Sequence, residues 1–258
     1  MLIIRNDQLK AFSRIKLNKF EEKMYVHAKK HFSDEFYGLE SKNLIEVSSK
    51  AIEKGKLYGF HTQKHVFYFL SLMFLLGSDF DSDVQLPWVY NYLTDQSVSS
   101  VDQRMENTWR AAIVFISRIA GDQLEFIRPV FYKLYKFNTQ NLLHLTEDNF
   151  EKEINCFLLE LYPEKYNYQM GGGNSALIKY GLNISEKYNV ESSHGKAVII
   201  VLMFVFGSGF YSDPLFYKIS NVLNSGTLDE NNRINKLLKQ IRKYLEAVLI
   251  TGECKDGF

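Results

Sequence analysis

Apolar residues recur at helical spacing along most of the chain. From Leu9 to Phe32 they return every three to five residues, with lysines between them. A similar pattern begins after Thr146, which is a candidate N-cap because two acidic residues follow it. Further helices are predicted over 41–57 and 174–188. Because no alternating β-branched segment is flanked by hairpin turns, the pattern predicts an all-α fold.

Two predicted helices are apolar on every side, over 61–76 and 191–206. A helix of this kind is normally covered by others, so both are expected to lie centrally. Gly77 and Gly207 follow them at the position where helices favour a left-handed residue. Their apolar runs of about ten residues are shorter than the roughly 20 residues that cross a membrane. Charged and polar residues near the N-terminus also interrupt the apolar stretch that a signal peptide requires, so we expect a cytoplasmic protein without a membrane partner.

Each apolar helix is followed by two amphipathic segments. Asp83 and Asp213 are placed to cap short helices that end near Leu93 and Leu223. A long helix then closes each part of the chain. Its apolar positions are Val101, Met105, Trp109, Ala112, Ile113 and Ile116 in the first part, and Ile234, Leu237, Leu238, Ile241, Leu245 and Leu249 in the second.

The chain matches itself at an offset of 130 residues. Residues 72–83 lie over 202–213 with eight of twelve positions identical, and no gap is needed between Phe20 and Leu93. A constant offset over such a length indicates a duplicated unit. The sequence therefore predicts two tandem, similar helical bundles.

The predicted boundary between the bundles falls near residues 120–135. Gly121, Asp122 and Pro129 supply helix-breaking residues there. We accordingly divide the chain into helical unit 1, residues 1–125, and helical unit 2, residues 130–258.

The near-neutral net charge argues against partners that bind by general electrostatic attraction. Lys and Arg number 31 against 30 Asp and Glu, a formal charge of +1, which gives no general attraction to nucleic acid. The basic residues near the N-terminus are interpreted as a solvated helix face. Two cysteines are too few for a disulfide scaffold. We expect Cys156 to pack on the apolar stripe of its helix, and Cys254 to lie in an exposed tail.

Asp79, Asp81 and Asp83 have the spacing of the first calcium ligands in an EF-hand loop. That loop also needs glycine at its sixth position and glutamate at its twelfth, where this chain has Val84 and Tyr90. We therefore predict no metal site. The favoured interpretation is a helix C-cap followed by an N-cap, with the remaining acids solvated. A partner-facing acidic loop, present only in the first unit, stays open.

The remaining candidate motifs for metal binding, nucleophilic catalysis and phosphate binding are weakly supported. His61 and His65 are one turn apart but lack the glutamate of a zinc-hydrolase helix, so we assign them to an exposed first turn. Ser208 between two glycines is not in a nucleophile-elbow pattern and is interpreted as a capping residue. The glycines at 171–173 precede no Lys-Ser/Thr pair and are interpreted as a joint between helices. We predict no catalytic residues and no cofactor.

The aromatic share of 15% is high, and surface aromatics are frequent in protein interfaces. Trp88, at the start of a predicted short helix, is the candidate we single out. Together with Asp79, Asp81 and Asp83 it forms the predicted partner-binding site.

One family resemblance rests on three motifs: Tyr58-Gly59-Phe60, the segment 72–83, and Leu86-Pro87-Trp88. Over about residues 1–115 the chain resembles an uncharacterised bacterial family encoded beside type VI secretion spikes and polymorphic toxins. The second unit keeps the helical pattern but lacks equivalents of Asp79, Asp81, Pro87 and Trp88. If function depends on this loop, the resemblance implies that the second unit has lost or changed it.

The leading hypothesis is a non-enzymatic protein-binding protein of such a system, with a cognate effector as partner. Within it we favour an immunity protein that neutralises the effector in the cytoplasm. The alternative is an adaptor or chaperone that loads the effector onto the secretion spike. A toxic effector enzyme is the third hypothesis, although no nucleophile and base can be nominated for it.

Overall fold

The computed structural model describes residues 22–23, 26, 41–169, 173–225 and 228–253. All secondary structure in these ranges is helical, which confirms the predicted all-α class. The bounded α-helices of the described residues are α1 (Ser41–Leu57), α2 (Gln63–Leu76), α3 (Pro87–Thr94), α4 (Val101–Ala120), α5 (Ile127–Lys136), α6 (Phe150–Leu161), α7 (Pro163–Tyr168), α8 (Gly173–Lys187), α9 (Ser193–Phe206), α10 (Tyr217–Leu223) and α11 (Glu230–Glu253). Short 3₁₀ turns lie at Phe80–Ser82, Thr139–Leu142, Phe210–Ser212 and Pro214–Phe216.

The apolar helices α2 and α9 have matching ends. Thr62 and Ser192 are their N-caps, and each side-chain oxygen accepts a hydrogen bond from the backbone N–H three residues later. At the other end Gly77 has φ 98° and ψ 152°, and Gly207 has φ 99° and ψ 149°. The predicted positive φ is correct, but ψ near 150° places both residues outside the left-handed helical region. This part of backbone space is essentially restricted to glycine.

The buried apolar residues form one cluster that draws on both halves of the chain. Helices α2 and α9 supply much of it, because nine of the 14 residues of each helix are buried. The two predicted units therefore share a core, and the division at 125–130 stays a prediction. Gly121 does end α4, as expected. Pro129 does not break a helix, since it lies in the first turn of α5, where a missing N–H is tolerated.

Two local predictions are wrong. Helix α6 begins at Phe150 rather than near Thr146, because the side chain of Asn149 turns back and accepts a hydrogen bond from the Thr146 N–H at 2.7 Å. Cys156 is exposed. The buried face of α6 carries Ile154 and Leu158, and Cys156 points to another side of the helix because it lies two residues from each.

Several predictions fall outside the described residues. They concern most of the helix over 9–32, of which residues 22, 23 and 26 are described as helical, the glycines 171 and 172, and Cys254. None of the helices that the structure describes combines the length and the hydropathy that a membrane crossing requires.

Candidate functional site

Asp83 and Asp213 connect the two halves by a reciprocal pair of hydrogen bonds. Asp83 Oδ2 accepts from the backbone N–H of Ser208 at 2.9 Å, and Asp213 Oδ2 accepts from that of Ser78 at 2.8 Å. The other oxygen of each carboxylate accepts from the N–H two residues further along its own chain segment. Each aspartate thus caps the turn that follows it and also binds the end of the apolar helix in the opposite half. The prediction that they cap the short helices themselves is wrong, because Leu86 is the N-cap of α3 and Phe216 is the N-cap of α10.

The backbone approach at this junction depends on glycine. A Cβ on Gly77 would lie 3.5 Å from the carbonyl oxygen of Phe206, and one on Gly207 would lie 3.2 Å from Asp83 Oδ2. Because both glycines also have positive φ, a side chain at either position would be strained. Burial raises the pKa of Asp213 even though backbone N–H groups of Ser78 and Leu215 bind its charged form.

Asp79 and Asp81 are paired with residues of α1. Asp79 binds Lys50 and Lys54, both at 2.8 Å, while Asp81 binds Lys54 and accepts from the Tyr58 hydroxyl at 2.9 Å. Asp81 is 7% exposed, so the expectation that the additional acids are solvated is wrong for it. Burial raises the pKa of Asp79, but the hydrogen bonds from the two lysines outweigh it and hold the pKa below 3.8. Burial and the nearby Asp81 raise the pKa of Tyr58.

The second half replaces this ionic cluster by an aromatic one. At the positions 130 residues after Lys50, Tyr58 and Asp81 stand Tyr180, Tyr188 and Tyr211. The hydroxyls of Tyr180 and Tyr211 lie 2.9 Å apart, and the rings of Tyr188 and Tyr211 pack edge to face at 5.8 Å. The equivalent of Asp79 is Gly209, against which the side chain of Asp79 itself packs. The second half therefore lacks both the acids of this cluster and the lysines that pair with them.

The predicted partner-binding residues do not form one surface. Asp81 and Asp83 are buried, and Asp79 is held by two lysines. Trp88 is half-buried in α3, with its ring 5.8 Å from that of Phe115. Whether these residues bind a partner stays a prediction, but their intramolecular roles differ: the acids connect elements of this chain, whereas Trp88 borders an open groove.

The groove beside Trp88 has a volume of about 480 Å³. Helices α3, α4 and α7 form its walls, and its lining residues are Trp88, Tyr92, Asn107, Arg110, Ala111, Val114 and Tyr168. Arg110, the charged residue of this lining, is exposed and binds Glu106 one turn away at 2.5 Å. The indole N–H of Trp88 is buried and has no partner among the described residues. The sequence pointed to Trp88 but could not identify Tyr168, which comes from the other half of the chain.

His65 is not in an exposed first turn. It is buried, its Nε2 lies 3.1 Å from Asp102 Oδ1, and its ring lies 5.5 Å from that of Phe60. Hydrogen bonds from Lys64 and His65 lower the pKa of the Asp102 carboxyl. The pair therefore connects α2 to the first turn of α4, and among the described residues the His65 ring hydrogen-bonds no nucleophilic side chain.

A second cluster, at Ser192, His194 and Glu230, was not predicted. The Ser192 hydroxyl contacts both His194 Nε2 and Glu230, and it also accepts from the Gly195 N–H as the N-cap of α9. Glu230 accepts from the backbone N–H groups of Glu191 and Ser192 at 2.8 and 3.1 Å. These bonds hold the start of α11 against the start of α9. Because Ser192 lies between the acid and the histidine, the cluster lacks the order of a catalytic triad.

Among the described residues, no group of three or more histidine, cysteine or acidic side chains is placed to hold a metal ion. Comparisons of the chain with protein-family models, with curated proteins and with solved structures give no match.

Proposed function

We propose that this chain is a non-enzymatic protein-binding protein and that the groove between α3, α4 and α7 is its docking surface. The observation that carries the proposal is the composition of the groove: Trp88, Tyr92 and Tyr168 with one arginine, Arg110. Tryptophan, tyrosine and arginine are the residues that contribute most often to the energetic centre of protein interfaces.

The chemistry of the groove defines the partner segment. Rings and the aliphatic side chain of Val114 line a concave surface, so an apolar or aromatic side chain fits into it. Among the described residues the lining contains one cation and no acid, and the guanidinium of Arg110 is exposed. A partner carboxylate beside the apolar anchor would pair with that guanidinium in competition with Glu106. We therefore propose a protein segment with an apolar anchor next to an acidic residue.

The proposed partner is a cognate effector of a bacterial type VI secretion or toxin system, and the proposed role is that of a cytoplasmic immunity protein. The resemblance over residues 1–115, which includes Trp88, supports this. The acids of the predicted site are bonded within the fold, whereas Trp88 lines the groove. An adaptor that delivers the effector would use the same surface, so only a cellular experiment separates the two roles.

Fluorescence tests the docking surface directly. The chain has two tryptophans, and Trp109→Phe leaves Trp88 as the single indole. We expect the emission of this variant to change when the effector encoded next to the gene is added. Arg110→Glu should weaken the complex by about tenfold or more. Arg118→Glu is the matched control, because Arg118 is exposed on the same helix but outside the groove. Equal affinities of the two charge-reversal variants would reject this surface.

Co-expression tests the cellular role. An immunity protein restores growth of cells that produce the effector, and Arg110→Glu should lose this protection while Arg118→Glu keeps it. Loss of effector secretion without protection would replace the immunity role by the adaptor role. Toxicity of this chain expressed alone would reject both in favour of an effector.

A further inference from the structure

A second cavity, distinct from the proposed docking groove, lies between the C-terminal ends of the apolar helices α2 and α9. Its volume is about 280 Å³. Aromatic and aliphatic side chains from both halves form most of its wall, among them Phe74, Phe115, Phe131 and Phe206. The cavity reaches the surface at Leu124, a lining residue that is 49% exposed.

One lysine side chain stands in this apolar wall. Lys165 of α7 is 6% exposed and lines the cavity. Its ammonium donates to the carbonyl oxygen of Phe204 at 2.5 Å and lies 5.4 Å from the centre of the Phe204 ring. No carboxylate of the described residues lies within 4.0 Å of it. An ammonium group has three N–H donors, so this buried cation is incompletely paired.

Asp83, the acid that interacts electrostatically with Lys165, does not supply the missing partner. It also lines the cavity, but its oxygens already accept from the backbone of Ser208 and from the backbone and side chain of Gln85. Asp83 therefore attracts Lys165 electrostatically without a direct contact. A buried cation with no directly paired anion is unfavourable, and an anionic ligand that contacts Lys165 would supply the missing partner.

We propose that this cavity binds a small apolar carboxylate, with the carboxylate paired to Lys165 and the hydrocarbon body among the phenylalanine side chains. The cavity volume of about 280 Å³ lies just below the range for ligand pockets, which begins at about 300 Å³, so the ligand is a short molecule. One buried ammonium in an apolar wall suits a single negative charge. A phosphate ester would bring up to two charges and more acceptor atoms than this lining could satisfy. The site is independent of the docking groove and of the proposed immunity role.

Calorimetric titration with octanoate and with octan-1-ol tests the proposal. The two ligands have similar hydrocarbon bodies, and only octanoate carries the anion. We expect octanoate to bind about tenfold more tightly than octanol, and Lys165→Met to reduce this ratio to about one. Lys152→Met, an exposed lysine on α6, should leave the ratio unchanged. Failure of octanoate to bind, or an unchanged ratio in Lys165→Met, would overturn the assignment.

A pH series provides a second test in the unmodified chain, which keeps the proposal falsifiable if Lys165→Met does not fold. Burial lowers the pKa of Lys165 to about 8 in the free protein, although Asp83 opposes this. The other titratable residues of the cavity wall are Asp83, Tyr162 and Tyr244. Since octanoate pairs with the protonated amine, its affinity should fall as the pH rises above about 8, while that of octanol stays constant. A flat octanoate profile between about pH 6 and about pH 10 would contradict the pairing.

A cavity-filling variant locates the ligand. Ala120 is buried and lines the cavity, so Ala120→Phe should abolish binding of both octanoate and octanol. Circular dichroism and thermal unfolding establish that the variant is folded. Retained octanoate binding by folded Ala120→Phe would place the ligand elsewhere and reject the proposal.

Discussion

Asp79 packs against the Cα of Gly209. A Cβ built on Gly209 would lie 2.8 Å from the Cβ of Asp79 and 2.9 Å from its Oδ2. These residues occupy equivalent positions at the offset of 130 residues, so the acid of one half fills the space that the missing side chain of the other half leaves. The difference between the halves at this position therefore has a steric reason.

We expect Gly209→Ala to lower the free energy of unfolding by about 2 kcal/mol, because Lys50 and Lys54 hold the Asp79 side chain in place. Urea denaturation measures the change. Ser212→Ala, in the same turn but exposed, is the control. In an Asp79→Gly background the effect of Gly209→Ala should largely disappear, and additive effects of the two substitutions would show that no steric conflict exists.

Removal of either reciprocal cap should destabilise the whole chain. Asp213→Ala leaves the buried N–H groups of Ser78 and Leu215 without their acceptor, and we expect a loss of about 3 kcal/mol. Asp83→Ala should have a similar effect through Ser208 and Gln85. Asp148→Ala at an exposed position should change stability by less than about 0.5 kcal/mol. Hydrogen exchange should show faster exchange at Ser78 in Asp213→Ala; unchanged exchange there would contradict the cross-half bond.

Acid should weaken the link between α1 and the Phe80–Ser82 turn. Since the pKa of Asp79 lies below 3.8 in the folded chain, its stabilising contribution is complete above pH 3.8 and is lost as the pH falls through the folded value. The stability difference between the native chain and Asp79→Asn should therefore be constant near neutral pH and shrink below about pH 4. Chemical denaturation between about pH 3 and about pH 7 measures it. A difference that grows on acidification would show the opposite shift.

Two helical glycines should respond in opposite directions to alanine. A Cβ on Gly181 of α8 would lie 2.4 Å from Cγ1 of the buried Ile200, so Gly181→Ala should destabilise by about 2 kcal/mol. A Cβ on Gly55 of α1 would meet no atom closer than 3.5 Å. Alanine there removes backbone freedom from the unfolded chain, and we expect a gain of up to about 1 kcal/mol. Thermal unfolding of the two variants compares them, and a gain from Gly181→Ala would disprove the tight contact between α8 and α9.

Periodicity predicted the helices well where a helix is apolar all round or clearly amphipathic. The interval 41–57 is reproduced by α1, and the predicted ends at Leu76 and Phe206 are those of α2 and α9. Local capping was less predictable at Thr146, because Asn149 offered the backbone a competing side-chain acceptor. Cys156 was misplaced because its apolar neighbours dominated the pattern of α6.

The candidate site was only partly predictable. The sequence identified Asp79, Asp81, Asp83 and Trp88 as unusual, but their spacing could not show that three of them pair within the chain. Their partners lie far away in sequence: Lys50 binds Asp79, and Ser208 binds Asp83. The Trp88 groove likewise needs Tyr168 from the other half. Nothing in the sequence distinguishes Lys165 from the other lysines, because its burial depends on the fold.

By itself the sequence determined the helical class, the C-terminal ends of the apolar helices and the sequence match between residues 130 positions apart, because these depend on local spacing and on side-chain volume. The tertiary structure decided which acids are buried, which glycines touch the opposite half and where a groove and a cavity remain open. Those properties depend on contacts between residues distant along the chain, and a contact of that kind leaves no periodic signal in the sequence.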